Sequence, residues 1–512
     1  MTEEGKAIDS NGMNRRTVLL GGTTLFAAGA AVPAFAQTAT PAATPTPPAP
    51  VDFKPEYHLD VPTADAASKM FEELAYQRAV QAYLWGLPAV GMRQYRVANG
   101  EAMGGGSDDY KLGYLGGLLK SNIEHLTGNA DSMYVDYFFD THDGPIVAEV
   151  PPTLPGLLDD MWQLPVVDVI PKVSPKGKYL IVPPGWKGKA PSGHVVVRPN
   201  TYVSWMLLRG NVEQTPSGPD TTAAVRELKT KLKIYPLSAL KNPSARPKLQ
   251  YFDMSDKTID RIPPEGRAYF ERLAEVVTAE PPMQTEAFMM GLMKAIGIEP
   301  GKPFNPDERM AAILERAAET GKAMARSIAF HGDDPERWHW PDRKYAEAFM
   351  GGSPSFVLDG HTNHDARTTF FYLACATSQL MATKTPGVGQ AYPWVAKDAE
   401  GNIFDGGKKY KMHLPPNIPA KLYWSVTAYD NGTRSELHNG TDFSRISSFT
   451  KPKANGDGST DLFFGPDVPA GEEANWIKTV PGKGWFILFR LYGPEQPYFD
   501  RSWKPDDLIE IS

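Results

Sequence analysis

The sequence predicts a multi-domain α+β protein with two related β-sandwich or jelly-roll-like units and a helical region between them. Short segments rich in β-branched and aromatic residues, bounded by Gly, Pro or Asp, occupy about 132–212 and again 388–512. Between them, apolar residues recur at helical spacing over 264–350. Prolines near the strand ends favour a sandwich over a parallel sheet.

Composition narrows the class of protein. A chain of 512 residues is long enough for roughly two to four domains. Its single cysteine excludes an internal disulfide framework, a Cys-based zinc site and an iron–sulfur cluster. The 53 Lys and Arg residues against 60 Asp and Glu residues give a formal net charge of −7. Such a mildly acidic surface argues against nucleic acid as a partner.

The first segment has the pattern of an export signal over residues 1–36. Arg15-Arg16 precede a modestly apolar stretch, Thr17–Val32, and Ala34-Phe35-Ala36 supplies a cleavage pattern of the A-x-A type. Paired arginines before a weakly hydrophobic stretch favour twin-arginine export, which predicts a periplasmic or secreted protein. A membrane anchor is the alternative, but the stretch is shorter than the ~20 apolar residues that a span requires.

Alternating Pro, Thr and Ala residues predict an extended linker over 37–54. We expect three folded regions after it: an N-terminal helix with the first β unit over 55–235, a mainly helical region over 236–385, and the second β unit over 386–512. No further apolar run of ~18 residues follows, so no membrane span is expected after signal cleavage.

Helical patterns recur along the chain. Thr63 offers a capping oxygen for a first helix over 63–96, which Gly86 and Pro88 are expected to interrupt. Further helices are predicted at Thr221–Leu232, Gly266–Thr278, Met283–Ile296, Pro306–Phe330, Tyr345–Met350 and Thr368–Met381. Strands of the first β unit are predicted at Met133–Phe139, Pro145–Val150, Tyr179–Val182 and Val195–Val197.

The two strand-rich regions resemble each other. Each has a double-proline turn, then a tryptophan (Trp162 or Trp424), then an aspartate (Asp168 or Asp430), and later a strand that ends in arginine. Further along, Trp205-Met-Leu-Leu-Arg209 corresponds to Phe486-Ile-Leu-Phe-Arg490. We interpret this order as an internal duplication; a chance likeness of proline-bounded strands is the alternative.

Familiar catalytic motifs are absent. The chain has no G-x-S-x-G elbow, no H-E-x-x-H helix, no Walker loop and no dinucleotide fingerprint, so no nucleotide or flavin cofactor is predicted. Cys375 lies in an apolar stretch and is predicted to be a buried small hydrophobe rather than a nucleophile.

The densest group of metal-ligand side chains is His361-Thr-Asn-His364-Asp365. Two imidazoles and a carboxylate suit one divalent ion if the loop folds back on itself. The alternative is a polar loop in which Asp365 caps the next helix. We therefore assign no metal ligand and leave the cofactor content open.

Candidate site residues occur in both halves. Asn129, Asp131 and Tyr134 precede the first strands, where an aspartate can act as a base and a tyrosine as a proton donor. Turn chemistry explains Asn and Asp there equally well. Asp365 and Arg367 are further catalytic candidates, with the arginine stabilising developing negative charge.

The second β unit offers candidates for substrate binding. Trp424, Tyr429 and Arg434 make an aromatic and cationic set for a sugar or carboxylate, unless Arg434 only pairs with Asp430 across the Asn431-Gly432 turn. Arg490 lies within an apolar strand and needs a partner, for which Asp430 and Asp365 are candidates. Trp162 completes the predicted binding residues.

Several longer motifs carry a family resemblance. The first half contains Gly128-Asn-Ala-Asp131-Ser-Met-Tyr134, Gly144-Pro-Ile-Val-Ala-Glu-Val-Pro-Pro152 and Asp159-Asp-Met-Trp162. The second half contains Asp365-Ala-Arg367, Asp405-Gly-Gly-Lys-Lys-Tyr410, Leu414-Pro-Pro-Asn-Ile-Pro-Ala420, Trp424-Ser-Val-Thr-Ala-Tyr-Asp430 and Asn475-Trp-Ile-Lys-Thr-Val-Pro-Gly-Lys-Gly-Trp-Phe486. The chain resembles bacterial exported proteins that join the domains of unknown function DUF1254 (about 80–210) and DUF1214 (about 390–495). The resemblance implies two β-sandwich-like units around a helical part and implies little about activity; Ser132 stands where the first family usually has Thr.

Two functional hypotheses remain open. In the first, the protein is a periplasmic hydrolase of a small organic or glycan-like substrate, with Asp131 or Asp365 as the acid or base. In the second, it is a non-catalytic ligand-binding or envelope protein whose tryptophans pack in the core or stack on sugars. Both predict a small-molecule or glycan-like ligand, and a homo-oligomer is compatible with either.

Overall fold

The structure is a computed structural model that describes residues 54–172, 174, 177–215 and 218–512. The predicted export signal and all of the predicted linker except Lys54 lie outside the described residues. Tyr57–Ser512 form one compact unit. Residues 54–56 have no regular secondary structure.

Eight α-helices occur in this part of the chain. They are α1 Ala64–Ala102, α2 Thr222–Lys231, α3 Arg267–Ala279, α4 Ala287–Lys294, α5 Glu308–His331, α6 His364–Leu373, α7 Gln379–Ala382 and α8 Gln496–Phe499. None of these helices is long and apolar enough to span a bilayer.

The strands fall into two groups separated along the chain by the helices α3–α5. The first group is β1 Tyr57–His58, β2 Val61–Pro62, β3 Lys111–Tyr114, β4 Ile123–Glu124, β5 Met133–Asp140, β6 Ile146–Glu149, β7 Gly156–Asp160, β8 Pro165–Val169, β9 Lys178–Ile181, β10 Val195–Val197, β11 Val203–Gly210, β12 Glu213–Thr215, β13 Gly218–Asp220, β14 Lys233–Pro236, β15 Gln250–Asp253 and β16 Ile259–Asp260. The second group is β17 Val357–Leu358, β18 His361–Thr362, β19 Gln390–Ala391, β20 Trp394–Val395, β21 Lys409–Leu414, β22 Ala420–Asp430, β23 Arg445–Ser447, β24 Thr460–Gly465, β25 Trp476–Lys478, β26 Trp485–Pro494 and β27 Ile509–Ile511.

The first β unit is built from two sheets. A six-stranded sheet has the order β15-β3-β5-β11-β7-β8, and a four-stranded sheet has the order β10-β9-β6-β14. Alternate apolar residues of both sheets share one core, for example Val135 and Phe139 of β5 with Ala148 of β6 and Ile181 of β9. Because side chains alternate across a strand, the opposite face of β5 is free to pack elsewhere.

The second β unit repeats this arrangement. β19, β26, β22 and β23 follow one another in a five-stranded sheet in which β20 also pairs with β26, and a second sheet has the order β25-β24-β21-β27. Val426, Phe489 and Leu462 belong to the core that the two sheets share. The α+β class is therefore confirmed, and no described sheet closes into a barrel. A jelly-roll topology and the internal duplication stay predictions.

The longer helices pack against both β units, whereas α2 and α8 belong to the cores of the first and second unit. One large core contains residues of α1, α3, α5 and α6 together with one face of each larger sheet. Tyr134 and Trp205 come from the first unit, and Tyr429 and Phe486 come from the second. The face of β11 that carries Trp205 and the face of β26 that carries Phe486 are therefore buried in the same core. The candidate site lies in this core.

The predicted interruption of the first helix is wrong. α1 runs for 39 residues through Gly86 and Pro88. Both residues are fully surrounded, and the carbonyl of Pro88 accepts a hydrogen bond from Gln163 Nε2 at 2.8 Å. Burial on all sides therefore outweighs the local cost of proline in a helix.

The predicted helix at Tyr345–Met350 is also wrong. Ala346 instead bridges to Trp394, with the Ala346 amide donating to the Trp394 carbonyl at 2.7 Å. Only Met350–Gly352 turn, as a short 3-10 segment. Backbone pairing with the second β unit replaces the local hydrogen bonds of a helix.

Asn363, not Asp365, caps α6. The Asn363 side chain accepts from the Ala366 amide at 2.9 Å, and its Nδ2 donates to Asp334 at 2.6 Å. We expect Asn363→Ala to lower the free energy of unfolding by about 1–2 kcal/mol. Asp365→Ala is the matched control and loses only the weak dipole interaction, about 0.3–1 kcal/mol. Urea unfolding of both variants measures the two losses in unfolding free energy. Equal losses would contradict Asn363 as the cap of α6.

Candidate functional site

A cavity of about 70 Å³ lies where the two β units and α6 meet. Its walls combine aromatic and aliphatic side chains with a small set of polar ones. The polar lining residues are His125, Thr127, Asn129, Tyr134, Arg209, Thr369, Cys375, Tyr392, Arg490 and Tyr492. None of the described residues that line the cavity carries a carboxylate.

Two corresponding strands supply opposite walls. Trp205, Leu207 and Arg209 of β11 line the cavity, as do Phe486, Leu488 and Arg490 of β26. Each set takes every second residue, so all three side chains lie on one face of their strand. On each strand this face carries an arginine, which Tyr492 follows on β26, and both arginines line the one cavity.

Arg209 brings a positive charge without a counter-charge. Its guanidinium carbon lies 6.0 Å from the ring centre of Tyr134, the residue paired with it on β5. No described carboxylate or carbonyl accepts a hydrogen bond from its side chain. A half-buried guanidinium with five N–H donors and no acceptor is therefore available to a ligand.

Arg490 is held firmly. Nη2 donates to the carbonyls of Thr127 (2.7 Å) and Gly128 (3.1 Å) and to the Tyr429 hydroxyl (2.7 Å), and Nη1 donates to Thr427 Oγ1 at 3.1 Å. The predicted partner, Asp430 or Asp365, is therefore wrong, because backbone carbonyls and hydroxyls satisfy this guanidinium. These bonds attach the loop before β5 to the second β unit.

Tyr134 and Asn129 complete the polar wall. The Asn129 amide donates to the Tyr134 hydroxyl at 3.1 Å, and Asn129 Nδ2 donates to the Tyr492 hydroxyl at 2.5 Å. Burial raises the pKa of Tyr134 to about 12, so its hydroxyl keeps its proton at neutral pH. Since that hydroxyl already accepts a hydrogen bond, its own proton is left for a ligand.

His125 and Cys375 lie side by side in the wall. Cys375 Sγ is 4.0 Å from His125 Nδ1, which also lies 3.1 Å from the carbonyl of Leu126. Burial and the positive charge of Arg261 lower the pKa of His125 to about 3, and burial raises the pKa of the Cys375 thiol to about 12. Both groups are therefore neutral near pH 7, which does not favour a thiolate–imidazolium nucleophile.

A buried ion pair lies directly behind this wall. Arg261 Nη2 is 3.6 Å from Asp136 Oδ2, and both side chains are at most 1% exposed. The Asp136 carboxylate also accepts from the Tyr95 hydroxyl at 3.1 Å and from Trp205 Nε1 at 3.1 Å. Trp205 lines the cavity, so the ion pair fixes one of its walls.

Other predicted catalytic residues lie outside the cavity. Asp131 is buried and pairs with Arg445 at 3.2 Å, while its amide donates to Asn129 Oδ1 at 2.7 Å. Asp365 is exposed on the first turn of α6. Arg367 stacks on Phe371, 5.4 Å from the ring centre, and burial lowers its pKa to about 10. The structure does not bring these three residues together.

The remaining predicted binding residues have packing roles. Trp162 contacts the ring of Trp85 at 4.4 Å between centroids, and Trp424 belongs to the core of the second β unit. Arg434 donates to the carbonyls of Tyr372 (3.1 Å) and Gly432 and stacks on the Tyr372 ring. Tyr429 does not line the cavity; its hydroxyl accepts from Arg490 at 2.7 Å and donates to the carbonyl of Gly128 at 2.5 Å, and both of these residues do line it.

The alternative pairing of Asp430 with Arg434 is wrong. Asp430 pairs with Lys483 at 2.7 Å and accepts from the amides of Gly432 and Thr433. Arg434 has a left-handed backbone with φ 62°, and its side chain leaves the turn toward α6. The turn therefore separates the two charges.

His361, His364 and Asp365 are all exposed. Within the described ranges, no three His, Cys, Asp or Glu side chains are grouped to hold a metal ion. The hypothetical divalent site at this loop thus has no assembled ligand set, and β17 and β18 form a two-stranded hairpin there instead.

Glu436 predicts a pH effect on stability. It is 2% exposed beside Arg445, and burial raises its pKa from 4.5 to about 8. The folded protein holds this proton where the unfolded chain has lost it, so the stabilisation is full below pH 4.5 and is lost as the pH rises through about 8. We expect Glu436→Gln to flatten the fall in unfolding free energy across this range. Denaturant unfolding at several pH values measures it, and Glu319→Gln, at an exposed position, should keep the wild-type profile.

Residue-type reasoning missed most of this cavity. Arg209, His125 and Tyr392 were not selected as site residues, whereas Asn129, Tyr134 and Arg490 were, and all six line it. The signal that was available is the correspondence of Arg209 with Arg490 in the two strand patterns. Because Arg490 was selected as a binding residue, its counterpart Arg209 should have been selected as well.

Comparison with known proteins places the two halves of the site in two domains. Residues 119–236 match the family "Protein of unknown function (DUF1254)", and residues 389–496 match "Protein of unknown function (DUF1214)". The chain carries a DUF1254 domain followed by a DUF1214 domain. The resemblance found in the sequence is therefore confirmed. Arg209 belongs to the DUF1254 segment and Arg490 to the DUF1214 segment.

Two solved structures are similar to this DUF1254–DUF1214 chain. The crystal structure of the VPA0106 protein from Vibrio parahaemolyticus has 18% sequence identity and a TM-score of 0.50, over 86% of this chain and 100% of that chain. An uncharacterised protein from Burkholderia cenocepacia has 14% identity and a TM-score of 0.39, over 87% of this chain and 97% of that chain. The Vibrio structure supports the fold alone. No protein with curated annotation matches the chain.

Proposed function

We propose that this protein is exported by the twin-arginine route and binds a small organic anion with an apolar body in the cavity between its two domains. The observation that carries the proposal is the half-buried Arg209 guanidinium, which has no acceptor in a cavity whose described lining residues include no carboxylate. Among the functional classes predicted from the sequence, this supports ligand binding most directly.

The balance of donors and acceptors supports an anion. Arg209 offers N–H donors and Tyr134 offers an O–H donor. Arg490 adds a second positive charge, although its donors are largely used by Thr127, Gly128 and Tyr429. Carboxylates and phosphates accept such bonds, and a bidentate arginine contact is among the strongest available to them. A neutral glycan, which brings as many donors as acceptors, fits this wall less well.

The walls define the rest of the ligand. Phe349, Phe370, Trp394 and Phe486 surround the polar groups. A volume of about 70 Å³ excludes a polymer. It is also smaller than the roughly 150 Å³ that holds a benzene molecule, so an aromatic ligand enters only when a lining side chain such as the half-buried Met381 moves aside. An aromatic or short aliphatic carboxylate combines one charged end with a body that these rings can bury.

Binding studies test this proposal with benzoate, benzamide and benzylamine as matched anionic, neutral and cationic probes. We expect calorimetry to detect binding of benzoate, and no binding of benzamide or benzylamine. Arg209→Gln should weaken benzoate binding roughly tenfold to a hundredfold, the range expected for a lost hydrogen bond to a charged group. Arg226→Gln, on the exposed face of α2, is the control. Equal binding of benzamide, or full affinity in Arg209→Gln, contradicts the proposal, and recovery of the chain in the cytoplasmic fraction contradicts export.

Hydrolysis is the second candidate, and one observation favours it. The neutral imidazole of His125 and the hydroxyl of Tyr134 line the same cavity, with ring centroids 6.2 Å apart. The neutral imidazole can accept a proton, but its pKa of about 3 makes it a weak general base, so this candidate ranks second. Asp131 and Asp365 do not reach the cavity. Release of phenol or methanol from phenyl or methyl benzoate, lost in His125→Ala, supports hydrolysis. Binding without any product supports the ligand-binding protein.

A further inference from the structure

A second cavity adjoins the first. This outer chamber has a volume of about 90 Å³ and lies beside α7 and α8. Ala348, Phe349, Met381 and Tyr392 line both cavities, so these residues form the partition between them.

The residues of the partition differ in how firmly they are held. Phe349 stacks on Phe370 at 4.6 Å between ring centroids, and it is 6% exposed. The Tyr392 hydroxyl donates to Gln390 Oε1 at 3.2 Å, and its ring is 7% exposed. Met381 is only half-buried and lies on the single turn of α7. Since methionine has three rotatable side-chain bonds, Met381 is the part of the partition that moves most easily.

The chamber is positively charged at its outer side. Lys384 and Arg501 line it, both are exposed, and no described carboxylate pairs with either. Glu347, the acidic lining residue, is already bound to His339. Gly352 makes room for Lys384, because a Cβ at this position would lie 2.8 Å from Lys384 Cε.

We propose that the outer chamber is the access route to the inner cavity, that Lys384 and Arg501 attract anions to its mouth, and that Met381 sets the largest ligand that passes. The charge selection deepens the proposed function and rests on it. The route itself does not, because it concerns only the connection between two cavities.

The chain contains its own reporter for access. Its one cysteine, Cys375, lies in the wall of the inner cavity. Methanethiosulfonate reagents modify a thiolate by forming a mixed disulfide and releasing methanesulfinate, with the thiol proton going to solvent. The rate of modification depends on access and on the small thiolate fraction of the buried Cys375. Since variants distant from the thiol share that fraction, the ratio of their rates reports access to the inner cavity, and free cysteine corrects for each reagent's own reactivity.

Variants of Met381 test the partition with the methyl reagent. Met381→Ala should accelerate modification of Cys375 roughly tenfold, a factor that corresponds to about 1.4 kcal/mol. Met381→Trp should slow it, and Met381→Leu, with a similar volume, should stay near the wild-type rate. Met324→Ala, at an exposed position on α5, is the control. Equal rates in all Met381 variants overturn the proposed route.

A pair of charged reagents tests the attraction. The sulfonatoethyl reagent is anionic and the trimethylammonium-ethyl reagent is cationic. After each rate is divided by that reagent's rate with free cysteine, we expect the anionic reagent to modify the wild-type protein roughly tenfold faster than the cationic reagent does. The double variant Lys384→Gln with Arg501→Gln, and high salt, should abolish this ratio. A ratio that survives both overturns the role of the two residues. If benzoate does not bind but Cys375 is modified at the expected relative rates, the proposed function is wrong and the access route still stands.

Discussion

Replacing Arg261 by methionine should lower the free energy of unfolding by about 3–5 kcal/mol, the usual cost of breaking a buried ion pair from one side. The side chains of Arg261 and Asp136 are 0% and 1% exposed. The remaining Asp136 carboxylate would keep only its bonds from Tyr95 and Trp205. A buried charge without its partner is costly because water no longer solvates it.

Asp136 gives this prediction a pH dependence. Burial raises the pKa of Asp136, while Arg261 opposes that rise. Without the arginine the carboxyl therefore takes up a proton more readily, so the loss in Arg261→Met should be smaller at low pH. Urea unfolding near pH 5 and pH 8, values chosen around the usual stability optimum, measures the difference.

Arg272→Met is the matched control. Arg272 pairs with Glu275 at 2.7 Å on the surface of α3, where the two side chains are 29% and 37% exposed. Water and salt screen such a pair, so its loss should cost less than about 1 kcal/mol. Equal losses in the two methionine variants would show that burial of the Arg261–Asp136 pair carries no special weight.

Arg490→Met should abolish benzoate binding and destabilise the fold together. The variant leaves the Thr127 carbonyl and the Tyr429 hydroxyl without this donor, while the Gly128 carbonyl keeps its bond from the Tyr429 hydroxyl. Each buried acceptor left unpaired costs about 1–3 kcal/mol. Because these bonds also hold the loop that carries Asn129, the polar wall of the cavity should be displaced as well.

Arg490→Lys separates charge from geometry. Lysine keeps the positive charge but lacks the planar fork with which Arg490 reaches several acceptors. We expect it to recover part of the stability and little of the binding, as judged by urea unfolding and calorimetry. Wild-type benzoate affinity in Arg490→Met would remove this residue from the site.

Local periodicity was sufficient for the longer helices, whereas many of the short strands were not predicted. The helices predicted at Gly266–Thr278 and Pro306–Phe330 correspond to α3 and α5, since each has one clear apolar face and defined breakers. The interruption predicted at Pro88 is wrong because proline disfavours a helix only locally. Burial of this part of α1 in the helical core outweighs that local cost. Tyr345–Met350 misled because its backbone partner, Trp394, lies far along the chain.

The site was harder to predict for a chemical reason. Aspartate and asparagine serve turns, caps and catalysis with the same oxygen atoms, so Asp131 and Asp365 looked like acid–base residues. Asn363, two residues before Asp365, already supplies the capping oxygen of α6. Arg209 was overlooked because its lack of a counter-charge is a property of three-dimensional packing, which no spacing in the sequence expresses.

The matching faces of β11 and β26 have a thermodynamic consequence. Each strand belongs to a different domain, and the cavity between them exists only while both domains are folded and docked. By linkage, a ligand at a hundred times its dissociation constant would add about 2.7 kcal/mol to the stability of the docked state alone. A bound ligand would therefore disfavour states in which only one domain is unfolded, because those states lack the cavity. The two domains would then unfold in one cooperative transition.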